Sequence, residues 1–170
     1  MGNSLEIHAY DRDHLPPEEI AWEAVLFFAE NYPTVHGRLD RARDLAKHGS
    51  VGKIMERLKQ EYILMIQRGL NERIQGLLEW RPLQVDGGIY AQLAWLMTDE
   101  RLRHSGIGTS LHDDFVAQAE QLKRVTRQPV ALQLSVHKDN PARTFWHKLG
   151  YKVWSQSPSD HNKVFMGREL

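Results

Sequence analysis

Between Ile89 and Val136 the spacing of apolar residues changes from strand-like to helical and back again. Ile89 to Met97 is an apolar, strand-like run. Ile107, Leu111, Phe115, Ala119 and Leu122 keep one face of a helix that ends before Gln128-Pro129, and Val130 to Val136 is β-branched and apolar enough for a buried strand. This is a strand, helix, strand crossover, and it commits the chain to a sheet with a helix laid on it. The join between the first strand and the helix reads Arg103-His104-Ser105-Gly106-Ile107-Gly108, an R-x-x-G-x-G run. A glycine-rich turn that feeds a helix exposes several backbone N–H groups, and with the helix dipole these make a seat for a phosphate or pyrophosphate. A Walker loop would close with Gly-Lys-Ser/Thr, which is missing, and a dinucleotide fingerprint would need a third glycine where Leu111 stands. Both common nucleotide motifs fail, and a tight turn with no ligand is the plain alternative.

Upstream, Leu5 to Tyr10 reads as a strand, Pro16-Pro17-Glu18-Glu19 as the start of a helix through Ile20 to Glu30, and Asn31-Tyr32-Pro33 as its end. Leu39, Ala42, Leu45 and Ala46 repeat at helical spacing before Gly49, and Val51, Ile54 and Leu58 do so after Ser50, a candidate cap. Tyr62 to Gln67 and Arg73 to Trp80 read as strands that lead by way of Asp86-Gly87-Gly88 into Ile89 to Met97, an antiparallel meander. Downstream, Asn140 suits an N-cap with Pro141 at the first helical position. Ala142, Phe145 and Leu149 share a face, and Gly150 suits the stop. Tyr151 to Trp154 and Val164 to Arg168 close the sheet. The order is β-α-α-β-β-β-α-β-α-β-β, in one domain over residues 1–170.

Leu96 to Leu111 (L-M-T-D-E-R-L-R-H-S-G-I-G-T-S-L) resembles the acetyl-CoA-binding motif A of the GNAT superfamily of N-acetyltransferases. Leu134 to Tyr151, with its N-P-A-R opening at Asn140 and its K-L-G-Y close, resembles that superfamily's motif B. The resemblance runs from Gln92 to about Met166, with the two motifs in order, one crossover apart. It implies the GNAT-like acyl-CoA N-acyltransferase fold, an α/β architecture with a central mixed sheet of about seven strands flanked by helices. It also implies that the strands Ile89 to Met97 and Val130 to Val136 splay apart, with acetyl-CoA as co-substrate. The pantetheine arm would pair with backbone at Leu96, Met97 and Thr98. The pyrophosphate would sit on the N–H groups of Arg103, His104, Ser105, Gly106, Ile107, Gly108 and Thr109. Asn140 with the following helix, through Ala142 and Phe145, would approach from the other side.

The chemistry implied is acetyl transfer from acetyl-CoA to an amine. The amine must be neutral to attack the thioester, so a base or a proton-draining water chain is needed; the oxyanion needs N–H donors, and the thiolate benefits from an acid. Here the chain departs from the family pattern. The tyrosine that often serves as acid aligns with Trp146, a donor but no useful acid, and the carboxylate of some members falls near Gln92. His137, at the end of the Val130 to Val136 strand, is the substitute base of choice because an imidazole titrates in the useful range; its plain reading is a solvent-facing loop histidine. Tyr151 could supply a phenol or fill the core. Tyr90 and Glu79 could face the acceptor or be sheet-surface residues, and Ser135 could touch the thioester or fill space.

Other features bound the alternatives. Equal numbers of basic and acidic residues, 22 each, create no basic field to draw nucleic acid or anionic lipid. The absence of cysteine removes disulfides and thiolate chemistry, and the nine histidines show no metal-ligand spacing, so no metal is expected. Without an apolar leader or membrane-length run, the expected address is the cytoplasm. Trp22, Phe27 and Phe28 read as packing the first helix on the sheet or walling an acceptor pocket rimmed by Asn31 to Arg38. Arg38, Arg41, Arg43 and Lys47 could greet an acidic substrate or, interleaved with Asp40 and Asp44, read as a solvated helix face. Three readings stand: an N-acetyltransferase for a small-molecule, peptide or protein amine; a non-catalytic acyl-CoA-binding regulator or partner module; and a nucleotide-binding enzyme that uses the same loop. Dimerisation is common in the family, which leaves a homodimer open.

Overall fold

The computed structural model describes residues 6–32, 45 and 49–170. The helical run through Leu39, Ala42 and Ala46, the rim from Pro33 to Arg38, and the charged stretch Arg38 to Lys47, Leu45 apart, lie outside the described residues. Along the chain come β1 (Ile7–Tyr10), α1 (Glu18–Glu30), α2 (Val51–Lys59), β2 (Ile63–Arg68), β3 (Ile74–Val85) and β4 (Gly88–Thr98). A 3-10 turn (Glu100–Leu102), α3 (Ile107–Thr126), β5 (Val130–His137), α4 (Ala142–Lys148), β6 (Lys152–Gln156) and β7 (Lys163–Glu169) follow. The strands form one mixed sheet in the order β1-β2-β3-β4-β5-β7-β6. β2 pairs antiparallel with β3, and β3 neighbours β4, as the expected meander requires; β4 pairs parallel with β5, as the crossover requires, and β1 adds to the sheet antiparallel to β2.

By contacts the chain divides into two compact units, residues 1–80 with 95–114, and 81–94 with 115–170. In the first, period-2 alternation sorts β2 and β3 onto two faces. Leu64, Ile66 and Leu77 join Phe27, Phe28, Ile54 and Leu58 in a buried cluster under α1 and α2. Phe28 meets Trp95 edge to face, with centroids 4.9 Å apart. The alternate face carries Met65, Gln67, Gly76 and Leu78, paired Met65↔Leu78 and Gln67↔Gly76. Pro17 leads into α1 with Glu18 and Glu19 in the first turn, and Ser50 Oγ accepts the Lys53 N–H at 3.2 Å to cap α2. Of the two readings of this cluster, packing on the sheet holds for Phe27 and Phe28, which are buried, but not for Trp22, which is 49% exposed, because the inward stripe of α1 is Ala21, Ala24, Val25 and Phe28.

In the second unit, β5 pairs with β7 from Ala131↔Glu169 to His137↔Lys163, and Leu132, Leu134, Val136, Trp146, Tyr151 and Met166 are buried. The sequence ended the third strand at Trp80, yet β3 runs on to Val85, because the hairpin turns only at Asp86-Gly87, with Gly87 at φ +91°. Pro141 already has helical dihedrals and Asn140 Oδ1 accepts the Ala142 N–H at 2.9 Å, so Asn140 caps α4. Gly150, at φ +87°, ends that helix, with its N–H on the His147 carbonyl and the Tyr151 N–H on that of Trp146. Among the described residues no helix is long and apolar enough to cross a membrane.

Candidate functional site

The R-x-x-G-x-G run is an exposed turn fastened at its base. Asp99 donates its N–H to the Gln75 carbonyl at 2.8 Å, which ties the end of β4 to β3. Its carboxylate then accepts the Arg101 N–H at 2.9 Å and caps the 3-10 turn. The hydrogen bond from the Arg101 guanidinium, helped by the Arg101 N–H and charge, holds the Asp99 carboxyl below its ordinary range against the opposing effect of burial. Glu100 donates its N–H to Asn31 Oδ1 at 3.1 Å, while Asn31 Nδ2 donates to the Phe27 carbonyl at 2.9 Å. The residue read from the sequence as a helix stop and as the start of a pocket rim therefore also bridges the end of α1 to the start of the turn.

Beyond this base, the Arg103 N–H donates to Glu100 and the Ser105 N–H to Leu102, so these two of the seven expected pyrophosphate donors are spent within the turn. His104 and Gly106 take left-handed backbone, φ +67° and φ +87°. That kink delivers the chain to α3, whose first helical bond runs from the Ser110 N–H to the Gly106 carbonyl at 2.9 Å. The N–H groups of Ile107, Gly108 and Thr109 thus find no acceptor inside the helix. They carry the positive end of a 20-residue dipole. Gly108 is not left-handed, so of the two loop glycines only Gly106 is required by its dihedrals. A groove of about 830 Å³ is lined by Gly106, Thr109 and Ser110 together with Glu6, Ile7, Asp113 and Asp114.

The β4–β5 register runs from Ile89↔Val130 to Leu93↔Leu134 and stops, while β4 itself runs on to Thr98 and β5 to His137. Leu96 and Thr98 are half-buried and Met97 is buried. On α4, Ala142 and Phe145 are half-buried; Asn140 spends its side-chain oxygen on the Ala142 cap, which leaves Nδ2 as the donor it could turn to a ligand.

The three proposed catalytic side chains sit in different surroundings. His137 ends β5 with its side chain 16% exposed, and Nδ1 receives the Asp139 N–H at 3.3 Å. Tyr90 pairs with Ala131 inside the closed part of the β4–β5 ladder and lies 5.8 Å from the Trp154 ring. Tyr151 is 1% exposed and packs edge-on against Trp146; burial pushes its phenol well above the usual value, only partly opposed by Arg168. A phenol so placed gives up its proton reluctantly and fills the core. Trp146 is itself buried between Phe145 and Tyr151. Gln92 accepts from Arg81 Nε at 3.1 Å and donates to Gln133 at 3.2 Å, in a polar ladder across β3, β4 and β5. Ser135 is exposed on β5.

Glu79 is neither a sheet-surface residue nor open to an acceptor. It is 5% exposed and takes a two-pronged ion pair from Arg57 of α2, with Nε at 2.9 and 3.2 Å and a further bond from Nη2. The Arg57 guanidinium also lies 3.8 Å over the Tyr62 ring. Sequence spacing carries no signal of this pairing, since the partners are 22 residues apart and on different elements. Among the described residues no group of three or more His, Asp or Glu side chains could hold a metal ion.

No protein-family model matches the sequence, and no curated protein matches it. Solved structures do. The GNAT-family acetyltransferase from Staphylococcus aureus Mu50 superposes with TM-score 0.68 at 18% identity, covering 97% of this chain and 98% of that one. The PaiA N-acetyltransferase from Thermoplasma acidophilum, in complex with coenzyme A, gives TM-score 0.67 at 17% identity over 97% and 99%. The ribosomal-protein-S18-alanine N-acetyltransferase from Escherichia coli gives 0.64 at 12% over 97% and 94%. The seven-stranded mixed sheet, its strand order and these superpositions together show that the chain has the fold of the GNAT N-acetyltransferases.

Proposed function

We propose that residues 1–170 form a single acetyl-CoA-dependent N-acetyltransferase domain, which transfers the acetyl group to a primary amine of a small molecule, peptide or protein by direct attack in a ternary complex. The observation that carries this reading is the left-handed Gly106 turn, which opens into three N–H groups with no helical acceptor. Ile107, Gly108 and Thr109, with His104 and Gly106 before them, are the donors assigned to the pyrophosphate. Leu96, Met97 and Thr98, on the part of β4 beyond its register with β5, are assigned to the pantetheine arm, and Asn140, Ala142 and Phe145 are further residues assigned to the coenzyme. The coenzyme A complex of the Thermoplasma relative supports the choice of donor, and the alanine N-acetyltransferase supports an amine acceptor.

In the reaction the neutral amine attacks the thioester carbon, a C–N bond forms, the C–S bond breaks, and the amine proton leaves as the thiolate gains one. His137 is the proposed base. Its Nδ1 accepts the Asp139 N–H, and Nδ1 takes up the amine proton only when that bond is given up. Tyr90 and Tyr151 are the other candidates; the buried Tyr151 phenol argues for packing instead. The second reading, an acyl-CoA-binding module without turnover, draws on Gln92, whose amide is held by Arg81 and Gln133 where some members of the family have a carboxylate. The two separate in one assay: free thiol released from acetyl-CoA across a broad panel of small amines, peptides and ribosomal proteins. Amine-dependent release supports the transferase, and binding with no release under any acceptor supports the module.

A further inference from the structure

The alternate face of the first unit holds a glycine that the chemistry of the turn does not itself require. Gly76 lies in β3 opposite Gln67, and a Cβ built on it would stand 2.7 Å from Ile107 Cγ2, 2.7 Å from Leu111 Cδ1 and 3.2 Å from the Met97 carbonyl oxygen. Its φ is not in the left-handed region, so conformation does not explain a glycine in mid-strand, where it weakens the strand. Close approach does. Ile107 is the first residue of α3 and Leu111 lies one turn on; they are 4% and 0% exposed, so neither has free volume into which to retreat. In the dinucleotide fingerprint a glycine on the helix permits close packing against a strand, and here that position is Leu111. Here the small residue stands on the sheet and the large one on the helix. The neighbouring Gln75 carbonyl accepts the Asp99 N–H at 2.8 Å, so the same two residues of β3 fix both the entry to the turn and the seat of the helix that follows it.

We propose that Gly76 is a positioning residue for the diphosphate of the coenzyme: it sets the height of the first turn of α3 over the sheet, and hence where the N–H groups of Ile107, Gly108 and Thr109 point. This rests on the coenzyme reading given above. Adding a methyl group must displace side chains or lift the helix end by a fraction of an ångström, and donors aimed at a fixed diphosphate lose affinity over such distances.

The test measures coenzyme A and acetyl-CoA affinity by calorimetry in Gly76→Ala, Leu111→Val and the double variant, with folding verified by circular dichroism. Gly76→Ala should weaken both ligands about tenfold and raise the acetyl-CoA KM while leaving the acceptor KM within about twofold. The double variant, with Leu111 Cδ1 removed but Ile107 Cγ2 still in the way, should recover to about threefold. A folded Gly76→Ala with unchanged affinity overturns the proposal, as does a double variant no tighter than the single one. If Gly76→Ala does not fold, the double is compared with Leu111→Val, and equal affinity overturns it. A wild-type protein that binds neither ligand removes the coenzyme reading itself, an outcome distinct from all of these.

Discussion

Removal of the Glu79 carboxylate should unfold much of what holds α2 to β3, and the cost can be worked from the geometry. The Glu79 side chain is 6% exposed and that of Arg57 15%, so Glu79→Leu strands a guanidinium in the interior. Breaking a buried pair from one side costs about 3–5 kcal/mol, a large share of the roughly 5–15 kcal/mol that a domain has to spend. For a chain of this size that is a fall in Tm of about 6–20 °C. In the wild type, burial works against the Arg57 charge and the hydrogen bond and charge of Glu79 outweigh it; without Glu79 the guanidinium is still too strong a base to escape by losing its proton. Replacing both partners, Arg57→Met with Glu79→Leu, leaves no stranded charge and should cost only about 1 kcal/mol, chiefly the stacking on Tyr62. Urea unfolding of the two single variants and the double closes the cycle. If Glu79→Leu loses less than about 1 kcal/mol, or if the double costs as much as the singles summed, the pair is not the buried unit described. Turnover of the double variant adds the functional half: retained activity excludes Glu79 as an acceptor contact.

Three other substitutions address separate parts of the account. Gln67 is fully buried, and neither side-chain amide atom has a hydrogen-bond partner among the described residues, so Gln67→Met should raise stability by about 1 kcal/mol in urea unfolding; a loss would contradict the desolvation argument. Gly106→Ala meets no atom within 4 Å, so its cost is conformational alone, about 1–2 kcal/mol for an L residue at φ +87°; equal stability would mean that the turn is not left-handed. His137→Ala should remove one limb of the pH–rate profile of acetyl transfer, and a profile of unchanged shape would take the base role from His137.

The sequence was most legible where local chemistry decides structure. The Asn140-Pro141 start and Gly150 stop of α4, the Ser50 cap and the period change across β4, α3 and β5 each follow from a preference that a few neighbouring residues satisfy by themselves. The R-x-x-G-x-G turn was legible for the same reason, although not the spending of the Arg103 and Ser105 N–H groups within it, since the 3-10 turn that consumes them has no strong signature. What stayed hidden depends on partners far apart in the chain. Asn31 reaches across 69 residues to Glu100, Glu79 across 22 to Arg57, and Gln92 across 41 to Gln133. Trp22 departs from the packing reading because a cluster of aromatic residues says less about facing than does their angle around the helix. Gly76 is an isolated glycine in a strand, which signals close approach without naming what approaches.

The central claim is that backbone N–H groups at the start of α3 grip the diphosphate of a coenzyme A thioester. Isothermal titration of acetyl-CoA into the wild-type protein and into Gly108→Glu tests it most directly, because the added carboxylate stands on the second residue of α3, among the donors and at the positive end of the dipole. Saturable binding by the wild type, lost or much weakened in a folded Gly108→Glu, is the expected result. No heat from an intact wild-type protein, or undiminished affinity in the variant, contradicts it.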